Sequence, residues 1–274
     1  MTSLAMPKGS EIYYKDDDVV IFNQLARKIP MDGVSNAEYY AWLDEAKSEI
    51  GTHVPGAEIA EKPTAREEPP LNTAIYYDTD ERHILPTGAL LRTSCNKITH
   101  AFCAFKMKED AGSVRKDHRY VFDGDEKRTI QQGPDSPEAV EIVQRLMRRT
   151  DIEHPGTFLQ QHYGVDPAAL KPSIRLDSLR YTFFAWLDGR DALRCSIDRY
   201  KTVDLRTPEA ERIRPEVVEV ELAIYPRISP EVARDPRTVD LISYLSDSLC
   251  RKFDTSVTTD IKYQRCAQAL SIPY

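Results

Sequence analysis

Charged side chains recur in the middle of this chain's β-like runs, always at alternate positions. A strand sends successive side chains to opposite faces, so alternate residues share one face. Glu11, Tyr13 and Lys15 share a face in the first run. So do Leu90, Arg92 and Ser94, and then Phe102, Ala104, Lys106 and Lys108. Later, Arg180 pairs with Thr182, Arg194 with Ser196 and Asp198, and Glu219 with Glu221. Buried unpaired charge is costly, which argues against a dry sandwich core. Two arrangements remain: a sheet with one solvated face, or a barrel with a polar lumen.

Bulk charge bears on the partner. The 274 residues hold 37 Lys and Arg against 44 Asp and Glu, a net charge of −7. An acidic balance disfavours nucleic acid as a bulk partner. It leaves room for a basic pocket inside an acidic shell. No apolar run approaches the ~20 residues of a membrane span, so no membrane partner is expected. The opening MTSLAMPKGSEIYYKDDD has no apolar signal core, so a cytoplasmic location is expected. Five cysteines without a CxxC pair suggest neither a zinc site nor a disulfide framework. The six histidines show no metal-ligand spacing, and Asp16–Asp18 reads as a solvated turn.

The order of elements predicts an α+β fold around a large antiparallel sheet. Residues 35–50 read as a helix, with Ser35 and Glu38 as a capping box. Residues 51–72, rich in Pro and Glu, read as a mobile surface loop. Strands follow in TAIYYDT, GALLRTSC, ITHAFCAFKMK and DHRYVFDGD. A helix spans 136–149, capped by Ser136 with Pro137 in its first turn, and a shorter one lies near 157–163. SIRLDSLRYTFFAWL and ALRCSIDRYKTVDL form a hairpin around a DG turn. VVEVELAIYP is a further strand, and residues 238–253 form an amphipathic helix. No strong boundary appears, so residues 1–274 are expected as one domain, with an insertion at about 24–72.

These runs, in this order, resemble the CYTH superfamily of triphosphate-tunnel proteins, in flavour its VTC-like branch. YYDTDERHILPTGALLRTSC at 76–95 is similar to the family's tyrosine–aspartate–threonine strand, turn and arginine strand. ITHAFCAFKMKED resembles the lysine strand that follows, and residues 170–200 the hairpin ending in Asp-Arg. VVEVELAIYP resembles the acidic strand, and IKYQRCAQAL the closing serine-lysine-tyrosine segment.

The resemblance implies an eight-stranded antiparallel β-barrel, a tunnel with flanking helices. It implies a metal-dependent enzyme that binds a phosphoanhydride and hydrolyses or transfers phosphate from a triphosphate. Mg²⁺ or Mn²⁺ would be held by Glu11, Asp198, Glu219 and Glu221. Lys15, Arg92 and Arg194 would act on the reacting phosphate. Lys106, Lys108, Arg180, Tyr13 and Lys262 would bind the small phosphorylated substrate. The chain departs from the family where Tyr13 replaces a carboxylate, Ser94 replaces a second arginine and Ile261 replaces the serine of the closing segment. The acidic strand reads Glu219 and Glu221 where the VTC type has Glu-x-Lys. These departures favour a small ligand over a long polyanion. Two further readings stand beside a triphosphatase. One is a lyase or cyclase releasing diphosphate from a prenyl (terpenoid) diphosphate, suggested by aromatic residues in the same strands. The other is a phosphate-ligand sensor without turnover.

Overall fold

The β8–β9 hairpin is the spine of the molecule. A computed structural model describes residues 10–13, 26–107, 117–225 and 228–274. β8 (Lys171–Leu187) and β9 (Arg190–Asp204) are joined at Asp188 and Gly189, both with positive φ. That is the two-residue hairpin turn whose twist suits antiparallel strands. β8 pairs with β4 (Asn72–Asp78) over its first half and with β3 (Ala57–Ala60) over its last four residues. Leu179–Phe183 have no strand neighbour on that edge among the described residues.

The sheet continues from β4 through β5 (Leu90–Asn96), β6 (Ala101–Lys106) and β7 (Asp117–Val121) to β1 (Ser10–Tyr13). On the other side β9 leads to β10 (Glu216–Ile224) and β2 (Arg27–Pro30). All the pairs are antiparallel. The sheet therefore has ten strands rather than the expected eight. Among the described residues the ladder ends at β1 and β2, so the expected barrel closure is not observed. The two additional strands, β2 and β3, have four residues each and come from the stretch expected as an insertion. Runs that short carry too little alternation to read in advance.

One face of the sheet is covered by helices. α1 (Asn36–His53) starts at the expected Ser35–Glu38 capping box, where Ser35 N donates to Glu38 Oε2 at 2.9 Å. α1 and the long C-terminal helix of the pair α5 (Pro230–Arg234) and α6 (Pro236–Phe253) bury Trp42 and Leu245 against Phe183 and Ile197. Trp42 Nε1 donates to Ser248 Oγ at 2.9 Å, which satisfies the indole in that core. α2 (Gly124–Gln132), α3 (Pro137–Met147) and α4 (Pro155–Tyr163) cover Ile75, Leu91 and Phe105 of β4–β6. α2 was not foreseen because it buries one apolar residue, Ile130, and so lacks an apolar stripe. Alternation directs Ile75, Leu91, Phe105, Phe183 and Ile197 to this face, and therefore Arg92, Arg180, Asp198, Glu219 and Glu221 to the other.

α7 (Lys262–Ala269) packs on that second face. Tyr263, Cys266 and Ala267 meet Tyr76, Ile174 and Tyr200 in a separate core, with the Tyr76 and Tyr263 rings stacked 4.6 Å apart. All five cysteines are free, and burial pushes the Cys195 thiol well up, as expected of packed thiols. No helix among the described residues is long and apolar enough to cross a membrane.

Candidate ligand-binding site

Strand register assembles the site on the face that carries α7. Arg180, Asp198 and Glu219 lie directly opposite one another across β8, β9 and β10. Thr182, Ser196, Glu221 and Lys28 form the next row, reaching β2. α7 adds Lys262 to these rows. Its ammonium donates to Asp198 Oδ2 at 2.6 Å and also to Glu219 Oε1. Arg180 makes a two-pronged contact with Asp198, Nε to Oδ1 and one terminal nitrogen to Oδ2, each 2.7 Å. The same guanidinium reaches Glu221 Oε2 at 3.4 Å, and the Tyr200 hydroxyl donates to Glu219 Oε2 at 3.2 Å.

Burial makes these pairings necessary. Asp198 is 1% exposed and Glu219 is 0% exposed. A lone carboxylate there would bear a large desolvation penalty. Burial pushes the Asp198 carboxyl up, but Lys262 and Arg180 outweigh it and hold the group well below its usual range. The same contest lowers Glu221 to about 2. Burial alone would lower the Lys262 ammonium. Asp198, Glu219 and Glu221 more than reverse that, so its pKa is raised and it stays charged.

α7 holds Lys262 firmly in place. The neighbouring Tyr263 hydroxyl donates to Asp78 Oδ2 at 2.9 Å. Asp78 also accepts the backbone N–H groups of Thr79, Ile84 and Leu85, which closes the turn after β4. One turn further, Arg265 donates to Asp32 Oδ2 at 2.6 Å.

A second cluster is basic. Tyr76, Arg92, Ala104, Arg119 and Glu11 lie opposite one another across β4, β5, β6, β7 and β1. Leu90, Lys106, Asp117 and Tyr13 form the adjacent row. The Arg119 guanidinium lies 4.2 Å from the centre of the Phe102 ring, a cation–π arrangement. Arg92 has no carboxylate partner among the described residues, and its Nε is buried without a hydrogen bond. The Tyr76 hydroxyl is buried beside both clusters, with no hydrogen-bond partner among the described residues. Burial raises it to about 12, while Arg92 and Lys262 both pull in the opposite direction.

Beside Arg180 the gap in the strand edge opens into a cleft of about 550 Å³. Its walls include Lys62, Arg180, Thr182, Phe184, Arg194 and Tyr225. Phe184 and Tyr225 meet edge to face at 6.1 Å, and Lys62 lies 5.8 Å over the Phe184 ring. The segment expected as a surface loop at 51–72 thus supplies β3 and one wall of this cleft.

The expected site residues divide as follows. Arg180, Asp198, Glu219, Glu221 and Lys262 come together in one network. Arg92 and Lys106 lie in the basic rows, and Arg194 lies in the cleft, opposite Phe184. The backbone of Glu11 and Tyr13 is in β1, while Lys15, Lys108 and the turn at 16–18 lie outside the described residues. Arg119 and Lys28 were missed. Alternation in DHRYV was the signal for Arg119, and nothing pointed to the short strand that carries Lys28.

The described residues among the expected metal ligands are not arranged as a metal site. Among the described residues no group of three or more His, Cys, Asp or Glu side chains is arranged to hold a metal ion. Both oxygens of Asp198 and both of Glu219 already accept hydrogen bonds from Arg180, Lys262 or Tyr200. Mg²⁺ and Mn²⁺ need oxygen ligands and room for water, and this buried pair offers neither in this arrangement.

No protein-family model matches the chain. No curated protein matches its sequence. Several solved structures are similar to it. One is a candidate adenylate cyclase from Bacillus halodurans, 13% identical, with a TM-score of 0.48 over 88% of this chain and 95% of that one. Another is a candidate adenylyl cyclase from Hippeastrum, described as having a dominant triphosphatase activity. It is 12% identical, with a TM-score of 0.46 over 89% of this chain and 94% of that one. A third, from Vibrio parahaemolyticus, is also described as a candidate adenylate cyclase. It is 10% identical, with a TM-score of 0.42 over 96% of this chain and 100% of that one. All three scores lie below 0.5, so the functional reading rests on the site itself.

Proposed function

We propose that the face carrying α7 binds a phosphoanhydride and that the protein hydrolyses or transfers phosphate from a triphosphate. The observation that carries this reading is Arg92. It is a half-buried cation on a central strand, with Lys106 on the adjacent strand and Arg119 one strand beyond, and no carboxylate among the described residues neutralises it. A cation held that way favours an anionic ligand. Neighbouring strands lie ~4.8 Å apart, so side chains from them can grip one phosphate chain at several oxygens. Guanidinium groups suit this because their planar fork meets two phosphate oxygens at once.

In phosphoryl transfer most of the catalysis is positioning and charge stabilisation. Arg92, Lys106 and Arg119 supply fixed positive charge on a rigid sheet for that purpose. Glu221, lowered to about 2, is a weak base at neutral pH, because an effective base titrates near the working pH. The stabilising cations therefore bear most of the chemistry.

A second reading is favoured by the cleft. Phe184 and Tyr225 next to Arg180 and Arg194 would suit an organic diphosphate, with cations at the leaving group and aromatic faces beside a developing carbocation. One screen separates the readings: tripolyphosphate, nucleoside triphosphates and prenyl diphosphates, followed by phosphate and diphosphate release. Phosphate from the triphosphates, lost in Arg92→Gln, supports the first reading. Diphosphate released only from the prenyl compounds overturns it in favour of a lyase. Tight binding with no product overturns both and leaves a sensor.

A further inference from the structure

We propose that Lys262 is a built-in counter-cation that takes the place of a divalent metal between Asp198 and Glu219. The wild-type carboxylate pair is then a masked metal site and binds no Mg²⁺ or Mn²⁺. This goes beyond the phosphate reading, which needs only the basic rows, and it is tested without any phosphate ligand.

The argument begins with charge. Asp198, Glu219 and Glu221 bring three negative charges to two adjacent rows; Arg180 and Lys262 are hydrogen-bonded to them, and Arg265, paired with Asp32, lies 3.9 Å from Glu219. Without Lys262, Asp198 would keep only Arg180, and Glu219 only the Tyr200 hydroxyl and the Arg265 guanidinium, which stands off at 3.9 Å and is bonded to Asp32. Like charges at that proximity demand either a proton or another cation. The ammonium lies where that cation belongs, bonded to one oxygen of each carboxylate.

Lys262 is also fixed there rather than passing through. Tyr263 is stacked on Tyr76 and bonded to Asp78, and Arg265 is bonded to Asp32, so α7 is tied down on both sides of its first turn. The Lys262 side chain is 16% exposed. Asp198 and Glu219 are almost inaccessible themselves, so an ion reaching them must shed water, which Mg²⁺ does reluctantly.

The test is Mn²⁺ binding, read by the loss of the free-ion electron paramagnetic resonance signal, with no phosphate present. Wild type is compared with Lys262→Met, Glu219→Gln and the double variant. The expected result is no Glu219-dependent site in wild type. Lys262→Met gains one Mn²⁺ per chain, bound at least about tenfold more tightly than wild type binds it, a gain of ~1.4 kcal/mol. The double variant loses that site. A wild-type Mn²⁺ site that Glu219→Gln removes would overturn the proposal, as would a folded Lys262→Met chain that gains no site. Thermal melting of wild type with millimolar Mn²⁺ decides the matter if Lys262→Met does not fold. An unchanged melting temperature supports the masked site, and a rise abolished by Glu219→Gln overturns it. Either outcome leaves the phosphate reading to be judged separately through Arg92.

Discussion

Arg180 and Asp198 face each other across the β8–β9 pair, joined by two 2.7 Å hydrogen bonds, with the carboxylate at 1% exposure and the guanidinium at 38%. The pair is thus half interior and half open to the cleft. It anchors the carboxylate network and also forms part of the cleft wall.

Arg180→Met should therefore destabilise the protein while leaving its methylene packing nearly intact. Breaking a buried pair from one side typically costs ~3–5 kcal/mol. Lys262 still holds Asp198, and Arg180 is partly solvated, so about 2–3 kcal/mol is expected. Urea unfolding measures it. A loss under ~0.5 kcal/mol, the scale of an ordinary surface substitution, would show that Lys262 alone suffices for Asp198.

Arg92→Gln should behave in the opposite way. Arg92 has no ion pair among the described residues, so folding should change by no more than ~0.5 kcal/mol. Hydrogen bonds to charged groups are worth ~1.5–3 kcal/mol, so tripolyphosphate affinity should fall at least about tenfold. Calorimetric titration beside a thermal melt separates the two effects. Equal affinity in the variant would remove Arg92 from the phosphate site.

Stability should depend on pH at two well-separated limbs. Asp198 and Glu221 are lowered in the folded state, from ordinary unfolded values near ~4. Their contribution is complete above roughly pH 5 and is lost as pH falls toward the folded values. Lys262 is raised above its unfolded value of ~10.4. Its contribution is complete below that pH and is lost as pH rises through the folded value. Between the limbs these groups produce no slope. Melting temperature followed from pH 3 to pH 7 should fall toward acid in wild type and less steeply in Asp198→Asn. Parallel profiles would place the acid sensitivity elsewhere.

The sequence made the sharing of faces legible, but not the partnerships. Alternation alone put Arg194 with Asp198, and Glu219 with Glu221, on one face of their strands, and the DG turn set the β8–β9 register. The pairing of β10 with β9 brought Glu219 beside Asp198, and no local pattern encodes that neighbour. Lys262 was harder still, because it reaches Asp198 from a helix 64 residues away in sequence. The carboxylates thus read as metal ligands, with no local sign that a lysine side chain would bond both Asp198 and Glu219. Arg119 was available from alternation in β7.

Gly56 and Gly189 offer a paired test of how the cleft wall is attached. Both have positive φ, +80° and +72°, so a side chain at either costs strain of ~1–2 kcal/mol. Their surroundings differ. A Cβ on Gly189 would meet nothing within 4 Å, whereas one on Gly56 would lie 2.2 Å from Asp188 Oδ1 and 3.0 Å from an Arg237 nitrogen. Asp188 cannot simply swing away, because Arg237 holds its other oxygen at 2.7 Å and its N–H donates to the Gly56 carbonyl at 2.8 Å. Gly56→Ala should therefore lose more stability than Gly189→Ala, by roughly 1–2 kcal/mol, the usual cost of overpacking. It should also loosen β3 from β8 and so increase hydrogen exchange at Ala57–Ala60. Equal losses at the two glycines, with unchanged exchange in β3, would show that the Asp188 contact yields without cost.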